Sequence, residues 1–224
     1  MIKMRARFRK SEGILFDIDG TLVDSNEFHV IAWDEAFREN SYSISRYLLR
    51  KQIGKGSDKL IPFFLPESSD EERRVISDAH NEIFRSRFLK LVRPFPFATD
   101  LIRFLHSKNK KVLLVSSSPS KEIEHYVDLL GVSKELHDTV GFDDVSQSKP
   151  APDLFDVALQ KAEVSSEAAL AVGDTPYDVA AAAKCGVQTI ALLSGGFSNK
   201  ELETAGPFGI QMDVGSIYSG VSQD

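Results

Sequence analysis

The chain has 224 residues, 42% of them hydrophobic and 27% charged, which is the balance of a folded protein rather than a disordered one. Its formal net charge of −6 argues against nucleic acid as the main partner, and its single cysteine, Cys185, excludes an internal disulfide and a cysteine-based zinc site. No apolar run reaches the ~18 residues of a membrane span, and Met1 to Lys10 lacks the apolar core of a secretory signal.

That first segment carries Lys3, Arg5, Arg7, Arg9 and Lys10 and is expected to be a solvated basic tail over residues 1–10. Gly13-Ile14-Leu15-Phe16 then reads as a buried strand. From about Asn26 to Val92 the pattern is helical throughout, with Phe28, Ile31, Ala32, Glu35 and Ala36 at helical spacing, then Ile76, Ala79, Ile83, Phe84, Arg87 and Phe88. Pro94 and Pro96 stop it. Beyond lie four more short apolar runs: 111–115, 138–142, 168–172 and 188–192. Helical patterns separate them at 99–107, 121–130, 152–162 and 177–184. Apolar runs of this length, alternating with helices, specify a doubly wound α/β fold with a parallel sheet covered on both faces. The expected organisation is a Rossmann-like catalytic core (11–25 and 93–224) with an inserted helical cap (26–92). Ligands of open parallel sheets bind beyond the carboxyl ends of the strands. An insert placed directly after the first strand therefore rises beside that site and can cover it.

Four polar features fall at those strand ends. Asp17 and Asp19 are two apart where the first strand runs out, and Gly20 permits a sharp turn. A calcium loop would place its glycine at position six and a glutamate at twelve, whereas here the glycine is fourth. Ser116, Ser117 and Ser118 follow the second strand, where hydroxyls ahead of a helix can donate to a phosphate. Lys149 is held in Ser148-Lys149-Pro150-Ala151-Pro152. Asp174 follows Gly173 at the end of the 168–172 run; Pro176 is placed to open the next helix, and Asp178 falls in its first turn. Any one of these has a plain structural use: a turn, a solvated charge, a helix cap.

Together they do not. Two carboxylates 4 Å apart repel by roughly 4 kcal/mol at an effective dielectric of ~20. A converging set needs a cation, and oxygen-only ligands point to Mg²⁺. Asp17 would then be an ionised nucleophile whose repulsion from a phosphate is relieved by the metal and Lys149. Asp19 would be the carboxyl that protonates the leaving oxygen and later activates water.

The ordered set DIDGTLVDS (17–25), VSSS (115–118), SKPAPDLF (148–155) and GDTPYDVAAA (173–182) resembles the haloacid dehalogenase superfamily, from Ile14 to about Leu193. The resemblance implies Asp17 as nucleophile, Asp19 as general acid/base, and Ser116 and Lys149 as phosphate binders. It implies Mg²⁺ held by Asp17, the Asp19 carbonyl and Asp174, with Asp178 in support. The helical insert resembles the small cap of the phosphoglycolate phosphatases and β-phosphoglucomutases, with the 52–58 loop expected to face the site. Ser117, Lys55 and His29 are further candidates for substrate contact. His29 reads equally as packing on a cap helix, Lys55 as a surface charge, and Trp33 as cap core. The dehalogenases lack an acid at the position of Asp19, which favours phosphate chemistry. The mutases carry a cap-loop arginine where an ungapped alignment puts Ser57, which favours hydrolysis over transfer. The expected substrate is a small phosphorylated metabolite, with no membrane partner, a cytoplasmic location, and a monomeric or homodimeric state. A sugar phosphomutase and a non-catalytic regulator are the competing readings.

Overall fold

A computed structural model describes residues 2–222. Met1, which began the expected tail, lies outside them. In chain order the elements are α1 (Ile2–Lys10), β1 (Gly13–Phe16), β2 (Val23–Asp24), α2 (Asn26–Glu39), α3 (Arg46–Arg50), α4 (Ser57–Phe64) and α5 (Asp70–Ile83). A π-helical turn (Phe84–Phe88) and a 3₁₀ turn (Leu89–Leu91) lead to β3 (Arg93–Pro94), α6 (Ala98–Ser107), β4 (Lys111–Val115), α7 (Ser120–Leu130) and β5 (Asp138–Val140). Then come α8 (Asp153–Ala162), β6 (Ala169–Gly173), α9 (Pro176–Lys184), β7 (Gln188–Leu192), α10 (Asn199–Ala205), β8 (Gly209–Gln211) and α11 (Val214–Val221).

Six parallel strands form one sheet in the order β5-β4-β1-β6-β7-β8. Side chains alternate across it as the two-residue strand period requires. Ile14, Phe16, Val112, Leu114, Leu170 and Val172 face one core, which α1, α6, α7 and α11 cover. Leu15, Leu113, Val115, Ala169 and Ala171 face the other, beneath α8 and α9. Alanines on both sides of that second layer (Ala169, Ala171, Ala181, Ala182) let helix and sheet approach closely. The fold is therefore the α/β architecture with a helical insert that the sequence pattern specifies.

The insert has its own core of Val30, Trp33, Phe37, Leu49, Leu60 and Ile61. Its two connections to the sheet domain pair with each other as a short antiparallel ladder, Val23 opposite Pro94 and Asp24 opposite Arg93. This ladder was not expected from sequence, nor was β8.

The basic segment is a correction. It is not a solvated tail: residues 2–10 are helical, and Met4 and Phe8 are 4% and 2% exposed within the main core. They are one turn apart, so both fall on the same face. Arg7 turns inward and donates to the carbonyls of Glu167 (3.0 Å) and Ala169 (2.6 Å), tying the helix to the start of β6.

Candidate active site

The site is assembled at the carboxyl ends of β1, β4 and β6. Asp17 follows β1, and its backbone N–H donates to the carbonyl of Val172 on β6. The chain then turns tightly, with the N–H groups of Thr21, Leu22 and Val23 all directed at the carbonyl of Ile18. Gly20 sits at φ +76°, and a Cβ there would lie 2.2 Å from Asn26 Nδ2 and 2.3 Å from Asp174 Oδ2, so the turn admits only glycine.

Lys149 is completely buried, and its ammonium finds three partners: Asp17 Oδ1 at 2.6 Å, Asp178 Oδ1 at 2.7 Å and the Val115 carbonyl at 2.7 Å. Burial opposes its charge, but the two carboxylates outweigh burial and raise its pKa. Asp178 also caps α9. Its Oδ2 accepts from the N–H (3.0 Å) and hydroxyl (2.6 Å) of Thr175, and Thr175 rather than Asp174 is the N-cap residue. Asp174 Oδ1 accepts from Thr21 (2.9 Å) and its Oδ2 from Asn26 (3.0 Å), both neutral donors.

Carboxylate oxygens of Asp17, Asp174 and Asp178 lie within 4.8 Å of one another. Burial pushes Asp17 up to about 7 despite Lys149, with the charges of Asp178 and Asp19 adding to the rise. Burial and the charge of Asp17 raise Asp174 well above the carboxylate range. Three buried carboxylates against one ammonium leave negative charge uncompensated, and the donor set is all oxygen. Those are the properties of a site for a hard cation. Because both oxygens of Asp178 are engaged by Lys149 and Thr175, its part there is to hold Lys149 and the loop rather than to offer a free ligand atom.

Asp19 faces a different set. Its Oδ1 accepts from Ser25 (2.5 Å) and Tyr126 (3.0 Å) and lies 3.2 Å from His29 Nε2; its Oδ2 accepts from Ser118 (3.1 Å). Burial would raise Asp19, but the His29 charge and these hydrogen bonds prevail and bring it to about 2. His29 is buried, stacked on Phe84 with ring centroids 3.8 Å apart, and its Nδ1 lies 3.3 Å from His80 Nε2. Burial lowers its pKa, but Asp19 and then Glu122 overcome this and raise it. Glu122, on α7, is pushed up to about 7 by burial, against the opposing charge of His29. Burial and then the charge of His29 push His80 down to about 3.

Both carboxylates open onto a cavity of about 360 Å³ between the sheet domain and the cap. Ser116 lines it and is buried, its hydroxyl accepting from the N–H of Ser118. Ser117 also lines it, but its hydroxyl donates to the carbonyl of Gly54 in the cap. Residues 53–57 form part of the wall, with Ser57 already in α4. Lys55 reaches Gln52 Oε1 at 2.5 Å and lies over the rings of Tyr177 and Phe63. The fold brings Asp17, Asp19, Ser116, Lys149, Asp174 and Asp178 to one place. Ser25, Tyr126, Glu122 and His80 meet them there and were not expected from the sequence. Glu122 and Tyr126 are four apart on a helix and so share a face, which is the one signal that could have paired them.

The haloacid dehalogenase-like hydrolase family profile matches residues 14–192. The chain belongs to the haloacid dehalogenase-like hydrolases. A phosphoglycolate phosphatase from Vibrio cholerae is 30% identical over 216 residues, 93% of this chain and 96% of its own. A pyrophosphatase PpaX from Oceanobacillus iheyensis is 28% identical over 80% of this chain and 82% of its own. The crystal structure of a hydrolase from Pseudomonas syringae superimposes with a TM-score of 0.89 at 28% identity, covering 95% of this chain and 98% of that one. Among the described residues, no helix is long and apolar enough to cross a membrane.

Proposed function

We propose that the protein is a Mg²⁺-dependent phosphatase that hydrolyses a small phosphorylated metabolite through an aspartyl-phosphate on Asp17. The observation that carries this is the placement of Asp17: buried, paired with Lys149 at 2.6 Å, beside Asp174, and opening on the same cavity as Asp19. Mg²⁺ held by Asp17, Asp174 and the Asp19 carbonyl would supply the positive charge that lets a carboxylate approach a phosphate.

The residues divide the work as follows. Lys149 orients Asp17, favours its ionised form against burial, and adds charge opposite the phosphoryl oxygens. Ser116, at the end of β4, is placed to donate to one of those oxygens. An Asp17 oxygen attacks phosphorus, the ester P–O bond breaks, and its electron pair leaves on the alcohol oxygen, which takes a proton relayed through Asp19 from the protonated His29 hydrogen-bonded to it. Water then attacks the phosphorus, giving its proton to the Asp19 carboxylate, and the Asp17–phosphorus bond breaks to release phosphate. Ser25, His29, Ser118 and Tyr126 fix Asp19 for both transfers. The cap over the cavity supports exclusion of bulk water.

Hydrolysis is favoured over transfer between sugar positions because Ser57, where the mutases carry an arginine, has no charge to hold a second phosphate. The test is phosphate release from p-nitrophenyl phosphate with Mg²⁺ and with a chelator. Metal-dependent turnover is expected. Equal rates in the two conditions would rule out the metal's role, and no turnover on a broad panel of phosphomonoesters would favour a regulator.

A further inference from the structure

Asp174 is reached by a side chain of the cap. Asn26, the first residue of α2, donates from Nδ2 to Asp174 Oδ2 at 3.0 Å and to the Gly195 carbonyl at 3.2 Å. These two acceptors fix the amide, because turning it over would set its oxygen against a carboxylate and a carbonyl. In this orientation Asn26 Oδ1 is shielded from solvent and meets no donor among the described residues. A buried acceptor left without a donor is costly and rare in folded proteins. The amide therefore sits where it serves Asp174, not where its own oxygen is satisfied. Two glycines make room for it: a Cβ at Gly20 would lie 2.2 Å from Asn26 Nδ2, and a Cβ at Gly195 would lie 1.6 Å from Asp174 Oδ2. Its neighbour Ser25 behaves alike. Ser25 is the N-cap residue of α2, yet its side chain makes no capping bond and its hydroxyl goes to Asp19 at 2.5 Å.

We propose that Asn26 is a positioning residue of the cation site: it holds the Asp174 carboxylate in place for Mg²⁺ and ties the first helix of the cap to that carboxylate. This rests on the Mg²⁺ reading of the site and adds a residue to it. Mg²⁺ demands near-ideal octahedral geometry, so a ligand carboxylate free to rotate binds it poorly. Thr21 on Oδ1 and Asn26 on Oδ2 remove that freedom. Neither carries a charge, so the carboxylate is oriented without being neutralised and its negative charge is left for the cation. A lysine or arginine in the place of Asn26 would orient Asp174 equally but cancel that charge. Hydrogen-bond partners that orient a metal's ligands typically contribute about 10- to 100-fold in affinity. Because Asn26 belongs to the cap and Asp174 to the sheet domain, cation binding favours the cap position in which the two meet.

Titration calorimetry with Mg²⁺ alone, on the full chain without substrate, tests this in wild type, Asn26→Ala and Asn26→Leu. Leucine keeps the size of the side chain and offers no donor. Both variants should bind Mg²⁺ at least about tenfold more weakly. Each removes the unmet oxygen together with the donors, so without Mg²⁺ both should melt within about 3 °C of wild type. In turnover of p-nitrophenyl phosphate the Mg²⁺ concentration for half-maximal rate should rise by the same factor, while kcat at saturating Mg²⁺ stays within about threefold. A residue that served the fold alone would do the reverse, lowering the melting temperature and leaving the affinity for Mg²⁺ unchanged. Wild-type affinity in either folded variant, or failure of both variants to fold, overturns the role of Asn26 and leaves the Mg²⁺ reading intact. Absence of Mg²⁺ binding by wild type overturns that reading and this inference with it.

Discussion

Lys149 Nζ lies 2.6 Å from Asp17 Oδ1 and 2.7 Å from Asp178 Oδ1, so one buried ammonium holds both the candidate nucleophile and the carboxylate that caps α9. Removing it strands two buried carboxylates. Lys149→Ala should therefore cost about 3 kcal/mol of stability and lower kcat by at least about 10³. Thermal unfolding and turnover of p-nitrophenyl phosphate measure the two effects. Unchanged activity would remove Lys149 from the chemistry.

Cap and core are latched next to this lysine. Ser148 donates its hydroxyl to Asp58 Oδ1 (2.5 Å) and its N–H to Oδ2 (3.1 Å), and its hydroxyl accepts from the N–H of Gly56 (2.9 Å). Asp58→Ala removes two of these three hydrogen bonds without touching the carboxylates of the site. We expect kcat/KM to fall about tenfold while stability changes by less than about 1.5 kcal/mol. Kinetics indistinguishable from wild type would show that the cap closes without it.

Much of this was legible from residue types alone. Asp17, Asp19, Lys149 and Asp174 each follow an apolar run that reads as a strand of one parallel sheet, so their gathering at its carboxyl edge was implicit in the alternation of strand and helix. What escaped had a weaker local signature. Met4 and Phe8 carry the helical spacing that buries α1, but five basic residues around them read as solvated charge. Gly209-Ile210-Gln211 is too short for periodicity to mark it as a strand. Glu122 and Tyr126 meet Asp19 only because β4 and β1 are adjacent in the sheet, a tertiary fact that no local pattern shows.

The N-terminal helix offers a direct check of that correction. Phe8 is 2% exposed in the main core. Phe8→Ala should destabilise the protein by about 3 kcal/mol, read as a lower urea midpoint. A midpoint matching wild type is the result a solvated tail would give.

His80 sets a pH dependence of stability. Burial, then the neighbouring His29 charge, lowers its folded pKa to about 3, below the ordinary value of 6.5. The unfolded chain therefore binds a proton first as pH falls. The stability tied to neutral His80 is fully present above pH 6.5 and is lost between there and about 3, at up to about 1.4 kcal/mol per pH unit. His80→Phe retains an aromatic ring to stack on Trp33, whose centroid is 3.9 Å away. The stability gap between wild type and this variant should shift in the variant's favour as pH is lowered through this window. A gap constant with pH would show that His80 does not carry the proton uptake.

The nucleophilic role of Asp17 is tested most directly by phosphate release from a phosphomonoester with Mg²⁺, comparing wild type with Asp17→Asn. The amide keeps the shape of the side chain but removes the attacking carboxylate. If Asp17 is the nucleophile, kcat falls by at least about 10⁴-fold while the variant stays folded. Wild-type turnover by Asp17→Asn would contradict that role.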